Sequence, residues 1–524
     1  MATPEPRKPT WNNYLGWGSG DVLGAGAQAV ITGWLAYFFI TFCGLSPVET
    51  GLILGLPRLL EAITCPLIGY VSDNLRHTWI GRRIGRRKIF LIITIPLLPA
   101  FALIFVSGQT FAYYLTTFVF FEFLYTMFLI PWETLAAEMT KDYKEKAKFA
   151  GARMMIAQAS AILASYLPTL IINQLGGKDS PSTFLIMAAI FGGLFSLVVL
   201  LVVLLTWERP YTEAEKLIQP EPMDWTRAAM IPVNMFRDLF STLRIKAFRQ
   251  HLSLYLGGYI SQDIFNTAFP LFVATVMMGA TLVISQLMTT MYVAQLISVM
   301  IAINVVIRTG PTAAYRMAIS FVGAALLLFL AFYLIKPAGF AEGLTALGGN
   351  IFSAANPVVL FWLFVPIILA GLGRGTLNFV PWSVYNYLPD VDEAVTGQRR
   401  EGIFAGVMTF VRKIAQSGAI LVTTSLIGLG GYVSADKAHP GVAVIQSPEA
   451  VRAVVLVMVG GPILVMLWGL WMSWSFRLNA RTHEVLIHEV ERLRAGETQA
   501  ESAESKEIVE NLTGWRFERL WGRG

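Results

Sequence analysis

Runs of about 20 apolar residues, broken by short clusters of charge, glycine or proline, recur along the whole chain, and about 20 helical residues cross about 30 Å of hydrocarbon. Such windows predict spans near 21–43, 50–73, 88–107, 111–138, 149–174 and 182–207. A polar stretch follows, to about Gln250, that holds Glu208, Arg209, Glu213, Glu215 and Lys216 and is too charged to enter lipid. Six further spans fall near 251–278, 281–307, 313–335, 357–388, 401–429 and 450–476. The pattern predicts an all-α polytopic membrane protein of twelve transmembrane helices. Its parts are an N-terminal segment 1–20, a six-helix bundle 21–207, a linker 208–250, a second bundle 251–476 and a tail 477–524.

The two bundles echo each other. Ile130-Pro131-Trp132 in span 4 precedes Asp142 by the same interval that separates Val380-Pro381-Trp382 in span 10 from Asp392. Phe149-Ala150-Gly151 opens span 5, and Phe404-Ala405-Gly406 lies early in span 11, as expected of two pseudo-symmetric halves.

Composition narrows the picture. Only 14% of residues are charged, where a soluble domain carries about 25%. The net charge of +6 comes from basic residues in short loops, not from one soluble face, so a nucleic-acid partner is not expected. The loop after span 2 holds Arg76, Arg82, Arg83, Arg86, Arg87 and Lys88, while alternate loops hold isolated lysines such as Lys178, Lys336 and Lys437. Both termini are therefore expected in the cytoplasm, and the bilayer is expected to be a bacterial inner membrane. In the tail, Val485, Ile487, Val490 and Leu493 among charged neighbours predict a short amphipathic helix, solvated or skimming the membrane. Cys43 and Cys65 provide neither a disulfide framework nor a metal site. Metalloprotease, nucleophile-elbow and Walker A patterns are missing, so neither an enzyme nor a cofactor is expected. The run Gly371-Leu372-Gly373-Arg374-Gly375 lacks the Lys-Ser/Thr of a phosphate loop and reads as helix packing or a helix break. With no nucleotide site, an ion gradient is the expected energy source.

Charges inside spans cost about 2.5–3.5 kcal/mol each at mid-membrane, so they face a partner or a cavity. In span 2 the spacing of Arg58, Glu61 and Cys65 puts them on one helical face, with Thr64 beside them. Glu61 reads either as a protonatable group held between burial and the pull of Arg58, or as half of a permanent ion pair. Further candidates are Glu122 and Glu133 in span 4, Arg153 and Gln158 in span 5, and Gln262, Asp263 and Asn266 in span 7. Arg374 and Asn378 in span 10, and Thr409, Arg412 and Lys413 in span 11, complete the set. Asp263 reads equally as a ligand and as a packing partner of a neighbouring Asn. Lys413, between Thr409 and Ser417 on a polar stripe, reads as a cavity ammonium. Trp132 and Tyr385 are the aromatics chosen to stack on a sugar ring, and Asp21 reads as a helix cap.

These residues resemble the glycoside-pentoside-hexuronide:cation symporter family, the melibiose-carrier-like branch of the major facilitator superfamily, over about residues 14–476. The likeness rests on Gly18-Ser19-Gly20-Asp21, Gly44-Leu45-Ser46, Pro57-Arg58-Leu59-Leu60-Glu61-Ala62-Ile63 and Pro66-Leu67-Ile68-Gly69. It continues through Asp73, Gly85-Arg86-Arg87-Lys88, Ile130-Pro131-Trp132, and Arg400-Glu401-Gly402 leading to Lys413. It implies the major facilitator fold, with Asp73, Arg86 and Arg87 as a cytoplasmic gate and Arg153 and Lys413 as cavity cations. Sodium-coupled members carry Asp, Asn and Asp where this chain has Glu61, Thr64 and Cys65, which implies H+ over Na+ here. Two galactoside-binding carboxylates of the family fall at Ala25 and Leu129, and Glu133 is the candidate replacement.

The expectation is a monomeric proton-coupled symporter of a glycoside, oligosaccharide or sugar acid. Glu61, Arg58, Thr64 and Lys413 would serve coupling, and Glu133, Trp132, Arg153, Asp263, Asn266, Tyr385 and Thr409 the solute. The rival readings are a lysolipid or amphiphile transporter of the same fold and a non-transporting membrane receptor or scaffold.

Overall fold

Apolar side chains on every face of a long window suit helix, the one open-ended structure that satisfies its own backbone inside lipid. The computed structural model describes residues 8–75, 78–140, 143–174, 180–208, 230, 233, 237, 241–348, 350–385, 387–397, 401–435 and 444–521, and all regular structure among them is helical. The first rod comprises α1 (Trp11–Gly18), α2 (Asp21–Val30), a π-helical turn (Ile31–Leu35) and α3 (Ala36–Thr41). Then come α4 (Pro47–Asn74), α5 (Trp79–Ile84), α6 (Lys88–Thr94), a 3₁₀ segment (Leu98–Phe105), α7 (Phe111–Met139), α8 (Tyr143–Gln174) and α9 (Pro181–Leu205). Next are α10 (Lys246–Thr275), α11 (Thr281–Thr309), α12 (Pro311–Ile335), α13 (Phe340–Ala346), α14 (Pro357–Tyr385), α15 (Leu388–Thr396) and α16 (Glu401–Leu429). The last are α17 (Pro448–Val455), a π-helical turn (Leu456–Gly460), α18 (Gly461–Ser475), α19 (Ala480–Arg494) and α20 (Ala503–Thr513).

Nine helices among the described residues are long and apolar enough to cross a bilayer, and α6 with the 3₁₀ segment, bent by 43°, makes a tenth. Pro96 and Pro99 lie at that bend, where each removes a backbone donor. The other two expected spans fall on helices α10 and α16, whose polar residues keep them below that measure of apolarity. The first rod starts at Trp11, ahead of the expected boundary at 21. Trp11, Tyr14 and Trp17 among polar neighbours, and the break at Ser19–Gly20, conceal that helix from an apolar window. The start of α4 is set by Ser46, whose Oγ accepts from Glu49 N at 3.2 Å while Glu49 Oε2 accepts from Ser46 N at 2.8 Å.

The chain divides into two compact units. Unit 1 holds residues 1–231, 273–289 and 420–451, and unit 2 holds 232–272, 290–419 and 452–524. In unit 1 the first turns of α11 join α8. Ser165 and Thr289 hydroxyls lie 3.0 Å apart, and Thr169 Oγ1 donates to Ser285 Oγ at 2.7 Å. In unit 2 the tail carries two helices, where one was expected, and they rest on α15. His483 Nε2 lies 2.8 Å from Asp390 Oδ2, Arg494 Nη2 2.5 Å from Glu393 Oε1, and Trp521 N donates to the Ala394 carbonyl.

Candidate functional site

In unit 1 the span-2 charges are fully enclosed. Arg58 is 0% exposed, and Glu61 and Glu122 are each 2% exposed. Arg58 Nη2 lies 3.9 Å from Glu122 Oε1, so its partner across the helix interface is an α7 carboxylate. Two carboxylates and one guanidinium are thus held out of water in unit 1. Thr64 Oγ1 donates to the Glu61 carbonyl at 3.3 Å, which turns the hydroxyl onto its own helix.

A second charged group in unit 1 is built around Arg153 of α8. Its Nε donates to Asp21 Oδ2 at 3.1 Å and its Nη2 to Glu133 Oε1 at 2.9 Å. The guanidinium lies 4.7 Å over the Trp132 ring, a cation–π contact. Trp132 is 0% exposed, stacks on Trp17 and Phe128, and donates from Nε1 to the Trp17 carbonyl at 2.8 Å. Its ring is thereby spent on packing, which corrects the expectation of a sugar platform there. Asp21 is likewise more than a cap: it sits in the first turn of α2, and its carboxylate is the buried partner of Arg153.

Unit 2 repeats this theme with different residues. Asp263 of α10 accepts from Arg412 Nη1 at 2.7 Å and from Nη2 at 2.9 Å, a bidentate pair, and Gln416 Nε2 lies 3.5 Å from Asp263 Oδ1. Arg412 lies 5.0 Å over the Tyr259 ring, and Trp382 Nε1 donates to Tyr259 Oη at 3.0 Å. Each unit thus joins an aromatic residue, an Asp four positions later on the same rod, an Arg, and the Trp of a Pro-Trp pair. The arginines are out of register with the Phe-Ala-Gly echo, since Arg412 falls one helical turn further along than Arg153. Tyr385 packs edge-on to Trp382, 5.6 Å between ring centres, and the Trp382 ring is exposed. Asn266 Oδ1 accepts from Arg374 Nη1 at 2.9 Å. Lys413 is half-buried on α16, one turn beyond the exposed Thr409.

Around the basic loop of unit 1, Arg86 Nη2 lies 2.5 Å and Arg87 Nη1 3.1 Å from Glu138 Oε1. Glu208 accepts the backbone N–H of Arg86, Arg87 and Lys88 at 3.1, 3.1 and 2.7 Å. Gly85, with φ +110°, allows this approach, because a Cβ there would lie 2.5 Å from Glu208 Oε1. Glu138 and Glu208 were not among the expected gate residues. The Asp73 side chain, Asp142 and Arg400 lie outside the described residues.

Long apolar helices with paired interior charges and a braced basic loop mark an integral membrane protein, and comparison with known proteins gives its family. A family model described as MFS/sugar transport protein matches residues 16–480, and the chain belongs to that family, the glycoside-pentoside-hexuronide:cation symporters of the major facilitator superfamily. It is 24% identical to an uncharacterized symporter of Synechocystis over 90% of this chain and 94% of that one. It is 21% identical to the glucuronide carrier protein homolog of Escherichia coli, over 94% and 97%. It is 20% identical to the sodium-dependent lysophosphatidylcholine symporter 1 of Gallus gallus, over 91% and 88%. Among solved structures, the nucleoside transporter NupG superposes with a TM-score of 0.58 at 15% identity, over 88% of this chain and 99% of that one, which shows the fold alone.

Proposed function

We propose that this protein is a proton-coupled symporter of a glycoside, oligosaccharide or sugar acid. It works as a monomer by alternating access in a bacterial inner membrane, with both termini in the cytoplasm. The observation that carries the coupling is the buried group Arg58, Glu61 and Glu122. An ionised carboxylate inside a membrane span is expensive, and a cation taken up from one side and released to the other relieves that cost. Glu61 is the proton carrier, and Arg58 sets its charge environment. A hard sodium ion needs several oxygen ligands, and here Thr64 is turned onto its own backbone and Cys65 offers a thiol, which favours the proton.

Glu133, Arg153, Asp263, Asn266, Tyr385 and Thr409 serve the solute. The exposed Trp382 with Tyr385 replaces Trp132 as the ring face for a sugar, and the Escherichia coli relative named for glucuronide transport supports a carbohydrate cargo. The chicken relative makes a sodium-driven lysolipid the rival cargo. Purified protein in liposomes separates the two. An imposed proton gradient is expected to drive uphill sugar uptake in the wild type and only downhill exchange in Glu61→Gln. Full accumulation by Glu61→Gln, or uptake of lysophosphatidylcholine alone under a sodium gradient, would overturn the reading.

A further inference from the structure

The segment Gly371-Leu372-Gly373-Arg374-Gly375 is unbroken helix within α14, so of the two sequence readings packing is the correct one. Each of its glycines meets backbone. A Cβ on Gly371 would lie 2.5 Å from the Met291 carbonyl oxygen, on Gly375 2.5 Å from that of Gln295, and on Gly373 2.6 Å from that of Ala318. The glycine faces of α14 are therefore pressed onto α11 and α12. Arg374 is left facing α10, where Nη1 donates to Asn266 Oδ1 at 2.9 Å and the guanidinium lies 5.5 Å over the Phe265 ring. One turn on, Gln262 Nε2 donates to Asn378 Oδ1 at 2.8 Å, which makes the seam a ladder of two polar rungs.

Charge balance sets Arg374 apart. Arg58, Arg153 and Arg412 each sit against a carboxylate. Arg374, 4% exposed, meets none among the described residues, its bond to Asn266 is the only hydrogen bond it makes there, and its Nε is buried without an acceptor. Asp263, on the same helix as Asn266, is committed to Arg412 through both oxygens. A guanidinium keeps its charge and its five donors wherever it is placed. Burying one against a neutral amide is costly, and an ionisable group kept inside a membrane span at such cost marks a solute pathway.

We propose that Arg374 binds an anionic group of the solute, a carboxylate, so that the cargo is a sugar acid and not a neutral glycoside. The inference rests on the symporter reading above. Nη1 is occupied by Asn266 and Nε is buried without an acceptor, so the carboxylate meets the Nε edge side-on, at two points, when α10 and α14 part around the solute. The amides of Gln262 and Asn378 exchange their mutual bond for bonds to sugar hydroxyls.

The test is equilibrium binding to the purified full chain, by calorimetry and thermal shift, with methyl glucuronide, methyl glucoside and lysophosphatidylcholine as probes. The wild type is expected to bind the glucuronide in preference to the other two. Arg374→Gln should lose about 100-fold in glucuronide affinity, the scale of a bidentate charged contact, while its melting temperature stays level or rises because an unmatched charge is gone. Asn266→Asp keeps the arginine and gives it an internal carboxylate, so it should abolish glucuronide binding and raise the melting temperature. Arg374→Lys should recover part of the affinity. Wild-type protein that ignores the glucuronide or binds lysophosphatidylcholine alone overturns the proposal. So does an Arg374→Gln protein that binds glucuronide normally or loses glucuronide and glucoside equally, or an Asn266→Asp protein with normal affinity. Binding needs no ion gradient, so these outcomes are independent of whether Glu61 carries the proton.

Discussion

Arg58 is the residue on which the interior electrostatics of unit 1 turn. Its removal leaves the Glu61 and Glu122 carboxylates, both 2% exposed, without the guanidinium. Removing one partner of a buried pair costs about 3–5 kcal/mol, so Arg58→Met is expected to unfold at markedly lower temperature than Glu122→Gln, which replaces a carboxylate by an amide of the same shape. Calorimetric melting of the two variants checks this ordering. Trp132→Ala is expected to lose about 3–5 kcal/mol of stability, as for other buried Trp truncations; if Trp132 were a solute platform, solute affinity would fall and the melting temperature would not. The sequence made part of this legible. The spacing of Arg58 and Glu61 is local and readable, whereas Glu122 joins them only because α4 packs on α7. Trp132 and Trp382 look alike in their Pro-Trp pairs, yet one ring is buried and the other exposed, a difference made by Trp17 and Phe128 and invisible to composition.

At the scale of elements, α14 shows why close packing is hard to foresee. Its glycines were visible, but which helix each one meets depends on how α11 and α12 are placed. Gly371→Ala and Gly375→Ala drive a methyl into backbone oxygens and are expected to cost about 1–3 kcal/mol. Gly323→Ala in α12, with open space around it, should be neutral or gain up to about 1 kcal/mol from helix propensity. Thermal melts of the three variants give the comparison. The apolar windows revealed most rods because an uncharged run of about 20 apolar residues matches the thickness of the hydrocarbon layer when helical. They misplaced the start of the first, where aromatic and polar residues alternate. The tail is a second such case: its amphipathic face is in the sequence, but its seat on α15 depends on the pairs His483–Asp390 and Arg494–Glu393. Asp390 and Glu393 are 6% and 5% exposed, so truncation after Phe476 strips cover from buried acids and is expected to lower the melting temperature by several degrees.

For the whole molecule, a symporter has to open and close around its cargo, and the contacts between α8 and α11 are a place where that motion can be stopped. Ser165 and Thr289 hydroxyls lie 3.0 Å apart, and a cysteine pair at these positions should cross-link on oxidation. Oxidised Ser165→Cys/Thr289→Cys protein is expected to bind solute poorly and to transport none, with recovery on reduction, as read by uptake with and without reductant. Cys43 and Cys65 are buried and in no disulfide, and replacing both by alanine leaves the introduced pair alone. The family was legible from motifs that recur in order along the chain, and the match over residues 16–480 agrees with them. The coupling ion was not legible in the same way, because Glu61, Thr64 and Cys65 state only what the site lacks for sodium. The most direct measurement is therefore solute-driven proton movement into proteoliposomes that contain a pH-sensitive dye, without any imposed gradient. Addition of methyl glucuronide outside is expected to acidify the lumen with wild-type protein and to leave it unchanged with Glu61→Gln. Glucuronide entry without acidification in the wild type, or acidification that persists in Glu61→Gln, would contradict proton coupling through Glu61.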